Sequence, residues 1–281
     1  MTQQQVVAVM GRGALDPAEP VVGADDLGLT RGDGCFDATR IEWDGEGWLA
    51  HDLDEHLERL RASATALGID APSDDDWFEL VGDALERWTG GEVGLKMVLT
   101  RGEEHRGHRP LAFLTLTEID EHTLRQREGI SVVTLSRGYA SDAFDGAPWL
   151  LGGVKTLSYA VNAAARREAT RRGADDALFV SSDGYVLEGP TSAVVWLKDG
   201  TLTTTPVGAT GILDSISRRA IWAADVPWTL EERLAPVSDL LAADGVWFVS
   251  SVRGLAPLVE LDGQALTSDV EATSALRVAM G

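Results

Sequence analysis

The order of strand-like and helix-like segments most restricts the fold of this chain. β-rich runs such as VVAVM, VGLKMVLTR and LAFLTLTE are interspersed with helical segments over 52–67 and 74–89. These segments do not alternate as regular βαβ units, and no internal repeat is visible. The pattern therefore predicts a mixed α/β protein and excludes a doubly wound parallel sheet.

The second half of the chain continues this mixture. Helices are predicted over 158–172 and near 214–224, and the run YVLEG at 185–189 is predicted to be a strand after the turn DG. The stretch 118–129 is charged and has no β-branched run, which is typical of a connection between two domains.

Charge and composition exclude several classes of partner. The chain has 24 basic and 45 acidic residues, a net charge of −21, so phosphate backbones and anionic lipid surfaces repel it. We therefore expect neither nucleic acid nor a membrane as a partner. The beginning, MTQQQVVAVMGRG, has no basic segment followed by an apolar one, and no apolar run approaches ~18 residues. These observations predict a cytoplasmic protein.

Motifs for several common chemistries are missing from the sequence. There is no GxGxxG after a strand, no GxxxxGK[ST], no GxSxG and no HExxH. The single cysteine, Cys35, excludes an intrachain disulfide and a cysteine-based zinc site. His105 and His108 lie close together, but they stand in a loop and lack a distant fourth ligand. We therefore predict no metal site.

Any mechanism that needs a lysine amine has three candidates, because the chain contains only Lys96, Lys155 and Lys198. Lys198 lies in a hairpin turn, and Lys96 lies in a strand where a lysine most often points to solvent. Lys155 follows a glycine pair in the nearly uncharged stretch LLGGVKTLSYAV, just before a predicted helix. Desolvation lowers the pKa of a lysine and frees its amine as a nucleophile. Lys155 is therefore the candidate for a Schiff base, against the alternative of a structural lysine.

Two further segments contain candidate binding groups. Glu188 lies in an apolar run, where a carboxylate needs a cationic or proton-donating partner such as a pyridinium N–H. The alternative is a partly exposed glutamate at a strand end. Ser215 and Ser217 lie where a loop enters a helix, a position that binds phosphate well or serves only as a helix cap. Asp214 argues against a phosphate immediately beside it.

Five motifs in register resemble one family. They are GDGCF (32–36), DEHLERL (54–60), GGVKTLSYAVN (152–162), DGYVLEGPTSAVVW (183–196) and GILDSISRRAI (211–221). Together they resemble the class IV, or fold-type IV, pyridoxal-phosphate enzymes over roughly residues 25–260. This family includes branched-chain aminotransferases, D-amino-acid transaminases and aminodeoxychorismate lyases.

The resemblance implies a role for each matching residue. Lys155 resembles the lysine that forms the internal aldimine, and Glu188 resembles the acid that keeps the pyridine nitrogen protonated. The remaining matches to cofactor contacts are Arg59 for the phosphate, Leu213 for one ring face, Ile216 with Ser217 and Ser250 with Ser251 for the phosphate, and Tyr159 near the phenolic oxygen. Tyr159 follows the lysine one residue sooner than in the branched-chain enzymes.

Two positions depart from the family pattern. Ala193 follows Ser192 where an asparagine is usual, and the helix entry reads Ser215-Ile216-Ser217-Arg218 instead of Gly-Ile-Thr-Arg. Both changes keep small residues, so cofactor binding is expected to survive. They do not allow substrate specificity to be transferred from the family.

The choice of family member depends on the substrate-binding residues. GDGCF followed by a segment ending in Arg40 looks most like the lyases, and Phe36 stands where many transaminases have a tyrosine. Arg106 and His108 resemble the pair that binds the substrate carboxylate in D-amino-acid transaminases. These residues are predicted to line the site for a small-molecule carboxylate substrate. The lyase is favoured, and a transaminase acting on D-amino acids or branched-chain amino acids is the alternative.

The resemblance also implies an architecture. We expect two α/β domains, over 1–117 and 118–281, with a mixed sheet or pseudo-barrel in the second. The family places its cofactor in the cleft between the domains and forms homodimers, so the same is expected here.

Overall fold

The computed structural model describes residues 4–105, 107 and 109–281. The chain forms two compact units. The first unit comprises Met1–Asp120 and Val154–Tyr159, and the second comprises Glu121–Gly153 and Ala160–Gly281. The chain therefore enters the first unit a second time, through a short segment that contains Lys155. We call residues 154–159 the lysine segment.

The first unit is built on one antiparallel sheet. Its strands are β1 (Gln5–Val9), β2 (Gly13–Leu15), β3 (Gly34–Trp43), β4 (Trp48–Ala50), β5 (Val93–Thr100) and β6 (Leu111–Glu118). Its helices are α1 (Leu27–Arg31), α2 (Leu53–Leu67) and α3 (Asp74–Leu85). The strand order is β2-β1-β6-β5-β3-β4, and every neighbouring pair is antiparallel.

The helix boundaries follow from local chemistry. Ser73 caps α3 through a capping box with Asp76, and Gly68 ends α2 in the left-handed conformation with φ +64°. Helix α3 is shorter than the predicted 74–89. Beyond its end, the Trp88 side chain is buried and its Nε1–H donates to the Gly91 carbonyl at 3.0 Å.

The two faces of this sheet differ in character. Alternate residues of a strand point to opposite faces, and Leu95, Leu99 and Leu114 are fully buried on the face that packs with the helices. Phe36 on β3 and Lys96 on β5 alternate with these residues and therefore lie on the opposite face. One face thus forms the core of the unit and the other carries functional candidates.

The second unit has a mixed sheet. Its strands are β7 (Ile130–Ser136), β8 (Asp176–Val180), β9 (Ala193–Lys198), β10 (Thr201–Thr204), β11 (Thr229–Glu232), β12 (Gly245–Ser250), β13 (Gly254–Leu261) and β14 (Gln264–Ala265). Its helices are α4 (Glu121–Gln126), α5 (Ala160–Arg171), α6 (Ile216–Ala223), α7 (Val237–Leu241) and α8 (Val270–Ala279), with a 3-10 turn over Pro148–Leu150. The order is β11-β10-β9-β12-β13-β7-β8, with β14 paired to β13. Pairs β10–β11, β13–β7 and β7–β8 are parallel.

One sequence prediction for this unit was wrong. The run 185–189 is not a strand, because it makes only isolated bridges, from Val186 to Val180 and from Tyr185 to Pro236. The stretch 118–129 contains the end of the first unit at Asp120 and the short helix α4 of the second. No helix in the described part of the chain is long and apolar enough to cross a membrane.

The two faces of the first sheet predict different sensitivities to mutation. Leu114→Ala removes a fully buried side chain from the helix-covered face, so the free energy of unfolding should fall by about 2–5 kcal/mol. Thr115→Ala, its half-buried neighbour on the other face, should cost less than about 1 kcal/mol. Urea denaturation of both variants tests this. Equal losses would contradict the assignment of the faces.

Candidate active site

The lysine segment lies along the edge of β3. The Phe36 N–H donates to the Lys155 carbonyl at 3.0 Å, and the Leu157 N–H donates to the Gly34 carbonyl at 2.8 Å. The local pairing is antiparallel, as the isolated bridge between Cys35 and this segment shows. Paired residues share a face of a sheet, so this contact places Lys155 on the face that carries Phe36.

The Phe36 ring is the common neighbour of the predicted lysine and tyrosine. The Lys155 ammonium lies 4.6 Å from the ring centroid, and the Tyr159 ring meets Phe36 edge to face at 5.2 Å. The Lys155 N–H donates to Ser63 Oγ of α2 at 3.3 Å. The structure therefore brings three predicted site residues together within the first unit.

Arg59 belongs to a buried cluster that sequence reasoning missed. Its Nε donates to Asp37 Oδ2 and its Nη2 to Asp37 Oδ1, both at 2.8 Å. His56 Nδ1 lies 2.6 Å from Asp37 Oδ1, and Asp37 and His56 are fully buried. Arg59 is thus not a solvated charge on a helix face. The ion pair instead fixes its guanidinium against β3.

The charge of Asp37 depends on this cluster. Burial alone would raise the pKa of Asp37, but the hydrogen bonds from Arg59 and His56 outweigh it and hold the pKa well below its usual range. Burial, with a smaller effect from Asp37, raises the pKa of the neighbouring Cys35 thiol to about 12. The cysteine is therefore a buried thiol, which agrees with a packing role.

The predicted carboxylate-binding residues are only partly described. Arg40 follows Phe36 by four residues on β3 and so shares its face. Its Nε lies 3.4 Å from Glu92 and its Nη2 lies 3.2 Å from His51 Nε2. Arg106 and His108 lie outside the described residues.

In the second unit, Glu188 meets Leu213. The Leu213 N–H donates to Glu188 Oε2 at 3.1 Å, which fixes a half-buried carboxylate beside the residue predicted for the ring face. The backbone of Glu188 is held in turn, because the Phe179 N–H donates to its carbonyl at 2.8 Å. The stretch is anchored although it is not a strand.

Predicted phosphate contacts converge at the start of α6. Ser217 Oγ lies 3.3 Å from Ser251 Oγ, and Ser250 is the last residue of β12, immediately before it. Ser215 is the N-cap of α6, and Ile216 is its first residue. Free N–H groups at a helix N-terminus together with two hydroxyls form a suitable site for an anion.

The negative charge of Asp214, beside this site, is paired with an arginine. Arg218 donates from Nη2 to Asp214 at 2.6 Å and from Nη1 to Glu232. Arg253, two residues after Ser251, makes its polar contacts inside the fold. It is buried and donates to Asp176 at 2.9 Å and to Ser192 at 2.7 Å.

Phe144 packs into a space that two glycines leave open. A Cβ on Gly152 would lie 2.5 Å from the Phe144 ring, and a Cβ on Gly211 would lie 2.3 Å from it. The Gly153 N–H donates to the Gly211 carbonyl at 3.0 Å. This contact holds the loop that leads to Leu213.

Comparisons with known proteins show the family of the chain. The amino-transferase class IV family matches residues 34–261. The chain belongs to this family. The bifunctional aminodeoxychorismate lyase / D-amino acid transaminase of Mycobacterium tuberculosis is 38% identical over 264 residues and 90% of each chain. The D-alanine aminotransferase of Bacillus licheniformis is 30% identical over 90% of this chain and 88% of its own.

A solved structure extends the similarity to the fold. The pyridoxal-phosphate-bound form of a hypothetical aminotransferase from Mycobacterium tuberculosis has a TM-score of 0.91 and 36% identity. It covers 99% of this chain and 98% of its own. The predicted mixed α/β, fold-type IV class is therefore confirmed. The cofactor expected from the sequence is the one bound in that structure.

The donor set of this class IV chain fits pyridoxal phosphate. The predicted contacts include an amine on Lys155, a carboxylate on Glu188 and hydroxyls on Ser217 and Ser251, which are the types of group that would hold its aldehyde, ring nitrogen and phosphate. Among the described residues, no group of three or more His, Cys, Asp or Glu side chains could hold a metal ion.

Sequence reasoning missed Asp37, His56 and Phe144. His56 precedes Arg59 by three residues on α2, so the sequence alone places both side chains on one face of the helix. Asp37 lies in a distant strand, and only the packing of α2 on β3 brings it to the arginine. Phe144 had no signal, because the glycines that accommodate it are far apart in the chain.

We predict that Asp37→Asn leaves the buried Arg59 without its anion and lowers the free energy of unfolding at pH 7 by about 3–5 kcal/mol. The control is Asp74→Asn. Asp74 is the exposed partner of Arg61, which like Arg59 lies on α2, and losing this ion pair should cost less than about 1 kcal/mol. Denaturant titration measures both. Similar losses for the two variants would contradict a buried ion pair.

The same cluster predicts a pH dependence. A carboxylate whose folded-state pKa is lowered stabilises the protein above its unfolded pKa of about 4, and this stability is lost as the pH falls towards the folded value. The difference between wild type and Asp37→Asn should therefore shrink below about pH 4. A difference that stays constant down to pH 2 would exclude this linkage.

Gly211→Ala should lower the free energy of unfolding more than Gly208→Ala. Both glycines have positive φ, +69° and +87°, but only the new Cβ at Gly211 meets Phe144. We expect a loss of about 1 kcal/mol at Gly208 and about 1–3 kcal/mol more at Gly211. Chemical denaturation measures the difference, and equal losses would show that Phe144 does not fill this space.

Proposed function

We propose that this class IV enzyme is a pyridoxal-phosphate-dependent 4-amino-4-deoxychorismate lyase that releases pyruvate and forms 4-aminobenzoate. The similarity, over nine tenths of both chains, to the bifunctional lyase and transaminase supports this class of reaction, and the GDGCF motif with Arg40 favours the lyase within it. The arrangement of Lys155 against Phe36, and of Glu188 against Leu213, supports the cofactor chemistry that this reaction needs.

Each residue has a proposed task. When bound, pyridoxal phosphate withdraws electrons from the amine-bearing carbon of the substrate. Lys155 holds the cofactor and then removes the proton from that carbon. Glu188, oriented by the Leu213 N–H, keeps the proton on the ring nitrogen. Ser217 and Ser251 bind the phosphate together with the first N–H groups of α6.

The remaining predicted residues complete this proposal. Ile216 and Ser250 flank the hydroxyl pair, and Arg59 is the proposed cation for the phosphate. Tyr159 is assigned to the phenolic oxygen, and Leu213 to one ring face. The cluster with Asp37 fixes the guanidinium of Arg59, so its geometry does not depend on a ligand.

Arg40, Phe36, Arg106 and His108 are proposed to bind the substrate. An arginine can hold a carboxylate through two hydrogen bonds, which suits a carboxylic acid substrate. The homodimer and the cytoplasmic location remain predictions of the sequence.

The lyase reaction balances without a second substrate. The amine-bearing carbon loses a proton, the ether bond to the enolpyruvyl group breaks, and the ring becomes aromatic. The departing group leaves as pyruvate after it has taken up a proton. Aromatisation supplies much of the driving force, and no oxidant or 2-oxo acid is consumed.

A D-amino-acid transaminase is the second candidate. The 38%-identical relative is named for both activities, and a D-alanine aminotransferase is 30% identical. A transaminase needs a 2-oxo acid to regenerate the cofactor, whereas the lyase does not. This requirement separates the two functions experimentally.

The test supplies cofactor-loaded protein with aminodeoxychorismate and no 2-oxo acid, and measures pyruvate and 4-aminobenzoate. We expect several turnovers in wild type and a normal rate in Lys198→Gln. In Lys155→Ala the rate should fall by at least about 1,000-fold, an order of magnitude typical for the loss of a covalent catalytic group. Lys198 is the exposed last residue of the otherwise buried strand β9 in the second unit, and it is the matched lysine control.

Other outcomes would change the assignment. A yellow protein that releases neither product, but transfers the amine of D-alanine to a 2-oxo acid, would support the transaminase. A colourless protein that takes up no pyridoxal phosphate would overturn the proposed function.

A further inference from the structure

Two of the three lysines of this chain approach one aromatic ring. The Lys155 ammonium is 4.6 Å and the Lys96 ammonium 5.3 Å from the centroid of Phe36. Because both distances end at the same point, the two nitrogens lie within about 10 Å of each other. This juxtaposition is unexpected in a chain with 45 acidic and 24 basic residues.

The register of the sheet explains the juxtaposition. Lys96 on β5 lies opposite Ala38 on β3, and Phe36 lies opposite Val98. Residues two apart on a strand share a face, so Lys96 is the diagonal neighbour of Phe36. The lysine segment adds Lys155 from the other edge of β3. Both ammonium groups therefore lie on the face away from the helices.

The charge of Lys96 is not matched within the described part of the chain. Lys96 is exposed and makes no ion pair or hydrogen bond with another described residue, and among these residues its ammonium group approaches the Phe36 ring. Arg40 on the same face contrasts with it, because Glu92 lies 3.4 Å from the guanidinium. Lys96 thus presents a full positive charge to this face.

The charged and titratable groups of this unit near Phe36 lie on three elements. On β3, Asp37 points to the helix-covered face, where Arg59 and His56 of α2 bind it. On β5, Lys96 is the charged side chain that faces the ring. Within the segment, Tyr159 is the titratable neighbour, and its ring meets the Phe36 ring edge to face.

We propose that Lys96 is a positioning residue whose positive charge disfavours protonation of the Lys155 nitrogen and so keeps that nitrogen nucleophilic. A nearby like charge favours the neutral form of an amine, and a cationic neighbour is a known way to activate a lysine. This inference rests on the proposed function, since it concerns the lysine that binds the cofactor.

The test follows the visible absorption band of the cofactor-loaded protein as a function of pH. This band reports the protonation of the Lys155 nitrogen joined to the cofactor. In Lys96→Gln the apparent pKa should rise by about half a unit at low ionic strength, because a nearby positive charge has been removed. Lys96→Arg keeps the charge and Lys198→Gln removes a charge of the second unit, so both should titrate like wild type.

Salt separates a charge effect from a structural one. At 1 M salt the Debye length is about 3 Å, so the field of an exposed charge is screened beyond that distance. Lys96→Gln and wild type should then titrate together. The proposal is overturned if Lys96→Gln matches wild type at low salt, if Lys96→Arg shifts equally, or if the shift persists at 1 M salt. A missing visible band, or a band that survives Lys155→Ala, instead refutes the proposed function, and this inference fails with it.

Discussion

The short antiparallel contact between the lysine segment and β3 is the interaction on which the candidate site of the first unit depends. It occupies an edge that β4 leaves open, and it sets which face of the sheet Lys155 shares. Gly34 makes the contact possible. A Cβ there would lie 2.5 Å from the Leu99 carbonyl oxygen and 2.7 Å from the Leu157 side chain. A shift of one residue would move Lys155 to the helix-covered face, where the core leaves no room for an amine.

The two units supply different kinds of chemistry, and each prepares its own groups. The first unit offers amines and guanidinium groups on strands and on α2, with the Asp37 cluster holding Arg59 rigid. The second offers a carboxylate and hydroxyls at the entrance of α6, with Leu213 orienting Glu188. In both units the orienting groups are backbone N–H donors or buried side chains, which hold their positions at little entropic cost when a ligand binds.

Several features of the fold and the site could be predicted from local sequence. Helix α2 was predicted because its apolar residues recur at helical spacing before Gly68. The hydroxyls of α6 were found because a capping serine marks a helix start. The run 185–189 was misassigned because its β-rich composition resembles a strand, whereas its backbone bonds only at two isolated bridges and through Glu188. The local sequence does not reveal whether a neighbouring strand is present to pair with such a run.

By itself, the sequence determined the mixed α/β class, the family resemblance and the identity of Lys155 and Glu188 as candidates, because residue type and spacing carry that information. Only the tertiary structure decided that Asp37 and His56 hold Arg59, that Phe144 fills the space beside Gly211, and that Lys96 faces Phe36. The strand pattern showed that Lys96 points out of the core, but not what lies on that side. Strand register and helix packing join residues that are far apart in the chain, and no local pattern encodes those distances.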